Sequence, residues 1–410
     1  VRRQPAIAFI LVTVLIDVMG IGLLLPVIPA LVGEFTTSRD AQTYWYGALM
    51  VTFGLAQFLC SPLLGALSDR YGRRPVLLAS ITGLGTMFFL SAIVTSLPAL
   101  LATRVLGGAL AANFSVANAY VADISTPEQR ARSFGRIGAA FGIGFIVGPA
   151  IGGMLGGIDI RLPFYAAAAL SLVNAVYGLL VLPESLPRER RKAVEWRKAN
   201  PFSSLAGLAR LKSVGMLVVV IGLVTLAQFI LHGTWVLYTG FRFGWGPQEN
   251  GLSLFVVGLA SAVMQGLLLG WMLKRIGERQ LVIGGMVSGL FAYTFYGLAT
   301  QGWMMYAIIA ANLLAFAVGP SLNAIVSKAA DPRQQGLAMG SLSSLASLMA
   351  VIAPMIGAPL LAEVSHLPAG DWRIGAPFFL SAALQAAALV LAVIHFRRHR
   401  PVPHVAVDAP

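Results

Sequence analysis

Residues 65–74 read Gly-Ala-Leu-Ser-Asp-Arg-Tyr-Gly-Arg-Arg, and 205 positions further on residues 270–279 read Gly-Trp-Met-Leu-Lys-Arg-Ile-Gly-Glu-Arg. Each stretch joins two long apolar runs with almost no loop between them. More punctuation recurs at the same offset: Asn118 falls on Asn323, Pro127 on Pro332, Gln129 on Gln334, Gly135 on Gly340 and Pro149 on Pro354. Glycines and prolines that coincide in corresponding loops mark an internal repeat of half the chain. The chain therefore reads as two related halves.

The runs around these loops decide the solvent. Of 410 residues, 57% are hydrophobic and 11% charged, and the mean hydropathy is +0.80. A soluble domain carries roughly 25% charged residues, so this chain could not cover a water-facing surface. Its apolar runs are long enough to cross a hydrocarbon core of ~30 Å, and in lipid such runs must be helical. Twelve are expected, near 6–32, 44–67, 75–95, 98–122, 133–157, 162–182, 213–240, 249–273, 281–300, 303–328, 336–362 and 374–396. The fold class is an all-α membrane protein of twelve transmembrane helices in two six-helix pseudo-symmetric bundles. Residues 1–182 form the first bundle, 183–212 a basic linker, 213–400 the second bundle and 401–410 a tail. The opening Val-Arg-Arg-Gln-Pro and the apolar run behind it read as the first span and not as a leader, since Asp17 interrupts the run. Cys60 is the single cysteine, so no disulfide framework exists.

The net charge of +13 has a topological origin. Of the 29 Lys and Arg, Arg39, Arg161, Arg242 and Arg373 fall in one set of loops, Arg104 lies within a span, and the rest gather in the other set and the termini. The positive-inside rule then places both termini and the linker in the cytoplasm, as in a multi-pass protein of a bacterial inner membrane. It also removes nucleic acid as an expected partner. The partners expected are the lipid bilayer, a small-molecule substrate and protons, with the chain working as a monomer and needing no cofactor or metal.

Buried polar residues are the candidates for chemistry. Asp17 is the only acid well inside a span, ~16 Å deep by helical rise. A carboxylate there costs at least ~3 kcal/mol, so it should face a cavity or a partner, and it can carry a proton. Arg104 is the only base well inside a span. It can bind an anion or exchange partners, and a direct pair with Asp17 is one arrangement. His232 titrates in the physiological range and joins them as a proton-coupling candidate. Asn113, Asn118, Gln228, Gln265, Asn312 and Asn323 are the amides expected to meet a solute, or to bond helix to helix. In the loop, Gly65, Asp69, Arg70, Gly72, Arg73 and Arg74 read as a gate, with Gly72 giving the turn and Arg73 or Arg74 bonding Asp123 or a helix end. Charge pairs there would hold one access state closed. Gly144, Gly148 and Gly152 with Pro149 give a small-xxx-small face for close helix contact.

The loop Gly-x-Leu-Ser-Asp-Arg-x-Gly-Arg-Arg at 65–74 resembles the signature of the major facilitator superfamily. Asp17-Val-Met-Gly-Ile-Gly-Leu-Leu-Leu-Pro26-Val-Ile-Pro29, Arg104-Val-Leu-Gly-Gly108 and Gly144-Phe-Ile-Val-Gly148-Pro149-Ala-Ile-Gly152-Gly153 resemble helix motifs of drug/proton antiporters. With Trp235-Val-Leu-Tyr-Thr and Arg242-Phe-Gly-Trp245, the chain is similar to tetracycline efflux proteins over nearly its whole length. The resemblance implies proton-coupled multidrug or tetracycline export by alternating access. It also implies acids in the third and ninth helices and a histidine in the eighth, where this chain has Met87, Gly289 and Ser261. That departure leaves open a carrier of lipid-like or organic-anion solutes, with Arg104 as the anion partner, and a receptor or scaffold that no longer transports. An enzyme is not expected, because no metal-spaced His/Cys cluster, nucleotide loop or nucleophile elbow occurs.

Overall fold

The computed structural model describes residues 7–111, 113–126, 129–191, 215–329 and 335–398. Linker residues 192–214 and tail residues 399–410 lie outside the described residues. Helices make up the described chain, with no strand among those residues. Eleven helices are long and apolar enough to cross a membrane. They are spans 1–6, Ile7–Gly33, Arg39–Tyr71, Arg73–Ile93, Leu97–Ile124, Arg132–Gly156 and Leu162–Val181, then spans 7–9, Gly215–Phe243, Pro247–Arg275 and Glu278–Leu298, and spans 11 and 12, Met339–Ser365 and Trp372–Arg398. Span 10 is broken: Gly302–Ala311 and Leu313–Lys328 meet at 52°. Counted as one span, this pair completes the twelve read from the sequence. The end of the bundle carrying the linker and the basic loops is called the basic face here, and the opposite end the far face.

The repeat is visible in the backbone. Gly72 has φ +106° and Gly277 φ +85°, and the two are 205 positions apart. Gly72 is the single residue between spans 2 and 3, and Gly277 follows Ile276 between spans 8 and 9; both take a conformation L side chains avoid. At Gly72 an added Cβ would also run into the Glu184 carboxylate. Glycine at this point is demanded by both backbone and space.

Within the first half, the small-residue face of span 5 packs on span 1. A Cβ on Gly148 would sit 2.9 Å from Gly22 Cα, and one on Gly144 would sit 3.0 Å from Leu15 O. Gly152 lies against the backbone of Leu23, and Pro149 lies inside the helix with its ring facing Gly22. The absent side chains let two backbones touch, which is how lipid-embedded helices gain contact without a hydrophobic drive.

The halves meet through spans 2 and 11 and spans 5 and 8. All the close glycine contacts between them lie from mid-membrane to the far face. Gly47 abuts Ala358, Gly54 lies 3.5 Å from Val351, Gly153 packs on Pro247 and Gly251, and Gly258 packs on Ile146. Toward the basic face the same spans part. A side chain added at Gly65, Gly135, Gly138, Gly142, Gly266, Gly270 or Gly340 would meet nothing within 4 Å. Among the described residues, the glycine contacts between the halves gather at the far face and are absent at these basic-face positions.

The far-face contacts depend on absent side chains. Gly153→Val should force spans 5 and 8 apart, because the Cβ position is 2.6 Å from the backbone oxygen of Pro247. In a Cys60→Ser background, spin labels at Ile158 and Gln248 should report a longer far-face distance than in the parent; an unchanged distance distribution would count against that dependence.

Candidate functional site

A cavity of about 500 Å³ lies inside the second half. Spans 7, 8, 9, 10, 11 and 12 all contribute to its wall. Two departures from the α-helix shape it. Span 10 breaks at Asn312 and continues as a 3-10 turn, Leu313–Ala317. Span 8 carries a π segment, Met264–Leu268, that includes Gln265. Irregular backbone at membrane depth is tolerated where protein or a cavity surrounds it, and it commonly marks a binding site.

The sequence-derived candidates divide sharply here. Gln228, His232, Gln265, Asn312 and Asn323 all line this cavity. Asn118 is half-buried and does not line it, and the side chain of Asn113 lies outside the described residues. The wall is polar and already organised. Asn312 is 7% exposed and accepts from the Ser288 hydroxyl at 2.8 Å. Gln265 donates to Ser261 at 2.6 Å. Trp235 donates to Ser253 at 3.0 Å and meets Tyr296 edge-on, with centroids 5.1 Å apart. Gln385 on span 12 also lines the cavity, and the sequence reading passed over it. The signal was present, since Gln385 is the lone amide in the apolar helix Ala376–Arg398.

The two deep charges sit in the first half, away from this wall. Arg104 is 4% exposed, donates to Ser91 Oγ at 3.2 Å and lies over the Phe53 ring at 5.8 Å. Asp17 is half-buried on span 1. No ion pair among the described residues joins the two, so a direct Asp17–Arg104 pair is absent from this state. Arg104 is instead held by spans 3 and 2.

The loop after span 2 forms a compact charged cluster. Arg73, 8% exposed, pairs with Asp69 at 2.7 Å and with Asp123 at 3.0 Å, and bonds Ser68 Oγ at 2.6 Å. Its backbone N–H donates to Glu184 at 2.9 Å, and Arg74 donates to the Leu179 carbonyl of span 6. Arg70 is exposed beside the Tyr71 ring. These bonds tie spans 2, 3, 4 and 6 together within one half. The sequence reading had such pairs hold one access state closed. Among the described residues they brace the first bundle. At the repeat-related positions of the second half stand Lys274, Glu278 and Lys328, every sign reversed, and Lys328 pairs with Glu278 at 2.5 Å. The brace is thus kept with inverted charge.

A family model described as Major Facilitator Superfamily matches residues 10–354 and 217–410. The chain belongs to the major facilitator superfamily. Tetracycline resistance protein, class C, of Escherichia coli is 39% identical over 381 residues, 92% of this chain and 96% of that protein. Tetracycline resistance protein, class G, of Vibrio anguillarum is 35% identical over 380 residues, with 92% and 96% covered. The crystal structure of the human organic anion transporter MFSD10 has a TM-score of 0.69 at 26% identity, covering 95% of this chain and 100% of that one. The protein is a multi-pass membrane transporter and not an enzyme.

In this transporter the positions the resemblance assigns to acids are occupied differently. Met87 packs against Gly107 of span 4, near the Arg104 site. A Cβ at Gly289 would sit 3.2 Å from Gln385 Nε2, so the span 12 amide fills the room beside it. Ser261 lines the cavity and accepts from Gln265.

The two braces should differ in strength. Asp123→Asn leaves the buried Arg73 short of a counter-charge and should cost about 2–4 kcal/mol. Glu278→Gln frees the largely exposed Lys328 and should cost about 0–1 kcal/mol. Thermal melting of the two variants in detergent checks the order; equal losses would contradict it.

Proposed function

We propose that the transporter exports amphipathic, ring-bearing small molecules, tetracycline-like in character, from the cytoplasm in exchange for protons. The observation that carries this reading is the cavity of amides and aromatic rings, in a chain whose described glycine contacts between the halves lie away from the basic face. The positive-inside rule assigns that face to the cytoplasm of a bacterial inner membrane. An exporter has to load from that side. The two tetracycline resistance relatives support the substrate class. One chain supplies both halves and the whole cavity wall, so a monomer suffices.

Coupling in this proposal runs through Asp17, Arg104 and His232. With methionine and glycine at positions 87 and 289, Asp17 is the acid left within a span to carry a proton. His232 is exposed to the cavity and can exchange a proton where substrate binds. Arg104 is the fixed cation against which a neighbouring proton or anion is exchanged. A second reading, an organic-anion carrier, is favoured by one observation: Arg104 is nearly fully buried with only Ser91 and Phe53 described beside its guanidinium.

Purified protein in liposomes with an imposed pH gradient separates these readings. Tetracycline should move against its gradient as protons flow, and Asp17→Asn should abolish the coupled flux while leaving binding within about threefold. Flux that ignores the pH gradient would sink proton coupling. Preference for anionic over neutral solutes, lost in Arg104→Gln, would establish the second reading.

A further inference from the structure

The amides of the cavity wall fall into two groups. Asn312 accepts from Ser288, Gln265 donates to Ser261 and Gln385 donates to the Met286 carbonyl. Those three are held by the protein itself. Gln228 on span 7 and Asn323 on span 10 line the same cavity, and both side chains are exposed. Neither side chain makes a hydrogen bond with a described residue. An amide whose task is to tie helix to helix is bonded to its neighbour. These two instead present an acceptor and two donors each to whatever enters the cavity.

Gln228 belongs to a row. Thr225, Gln228 and His232 recur at three and four residues along span 7 and all line the cavity. They share one face of the helix over ~10 Å of rise. Span 1, the related helix of the first half, carries no amide and no histidine, so the shared fold does not require the row. Around it the wall is apolar, with half-buried Phe316 of span 10 and Leu254 and Val257 of span 8. No Asp, Glu, Lys or Arg lines the cavity among the described residues. A charged group entering this wall would lose its hydration without meeting a counter-ion from those residue types.

We propose that Gln228 and Asn323 are specificity-determining residues. They take an uncharged group that carries donor and acceptor together, an amide or a hydroxyl beside a carbonyl, at the edge of a ring system whose body lies against Phe316, Leu254 and Val257. This deepens the export reading by naming the group the cavity selects, and it rests on that reading in treating the cavity as solute-facing. The ring body supplies contact area. The two amides supply the choice between solutes of one shape, so leucine at either position keeps the cavity and weakens the discrimination.

The test uses the full-length protein in lipid nanodiscs and three probes of similar shape: anthracene-2-carboxamide, its N,N-dimethyl amide and anthracene-2-carboxylate, with empty nanodiscs subtracted for partitioning. Equilibrium dialysis should show the parent binding the primary amide about tenfold more tightly than the dimethyl amide, which keeps the acceptor and lacks the donors. The carboxylate should bind more weakly than the primary amide by about tenfold or more. Gln228→Leu and Asn323→Leu should each lower the ratio of primary to dimethyl amide to about threefold, and the double variant should bring it to about one. Dimethyl-amide binding within about threefold of the parent is the check that a variant is folded. A ratio that survives in the folded double variant overturns the proposal. So does a carboxylate that binds best, a parent that binds no probe, or loss of dimethyl-amide binding in both single variants. Tetracycline export by a parent whose ratio is one would keep the export reading and overturn this assignment. Proton-independent flux alongside an intact ratio would remove the coupling proposed above and leave this assignment standing.

Discussion

Lipid offers the peptide group no hydrogen bond, and every other feature of this transporter is arranged around that constraint. The described chain answers it with helices, and departs from the α-helix at membrane depth in few places. Two of those places, the break at Asn312 and the π segment around Gln265, surround the same cavity. There Ser288 and Ser261 hold the Asn312 and Gln265 side chains within the protein. Irregular backbone at this depth lies against a cavity and not against lipid.

The same solvent removes the hydrophobic drive for helix association, so contact is won by close approach. Glycines make both the intra-half contact of spans 1 and 5 and the inter-half contact of spans 5 and 8. The first of these sets is nearly continuous along the pair, from Gly144 to Gly152. The second ends near mid-membrane, and beyond it the halves part. A packing surface confined to one side of the midplane is what a rocking mechanism requires, since the opposite side must be free to close in turn. The ion clusters at the basic face serve a separate purpose. Asp69, Arg73, Asp123 and Glu184 hold one bundle rigid, so that the bundle moves as a body.

Much of this was legible in the residues. The spans follow from apolar run length, the two halves from glycines and prolines at one offset, and the turn at Gly72 from the lack of any loop to make it. The Arg73–Asp123 pair was legible too, as two charges at one membrane face with no other need to be there. The direct Asp17–Arg104 pair failed because depth along a helix says nothing of azimuth: Arg104 turns toward Ser91 and Phe53. Gln385 was missed for a related reason. A single amide in an apolar helix comes to the cavity wall only through the packing that sets it against the Met286 carbonyl of span 9.

By itself the sequence determined the solvent, the number of crossings, the repeat and the face that carries positive charge. These depend on composition and on positions along the chain, which no packing can alter. The tertiary structure decided where the halves touch and which side chains line the cavity of the second half. Those depend on distances between helices that are remote in sequence, set by the side chains that glycine leaves out and by the bends at which a helix gives up its own hydrogen bonds.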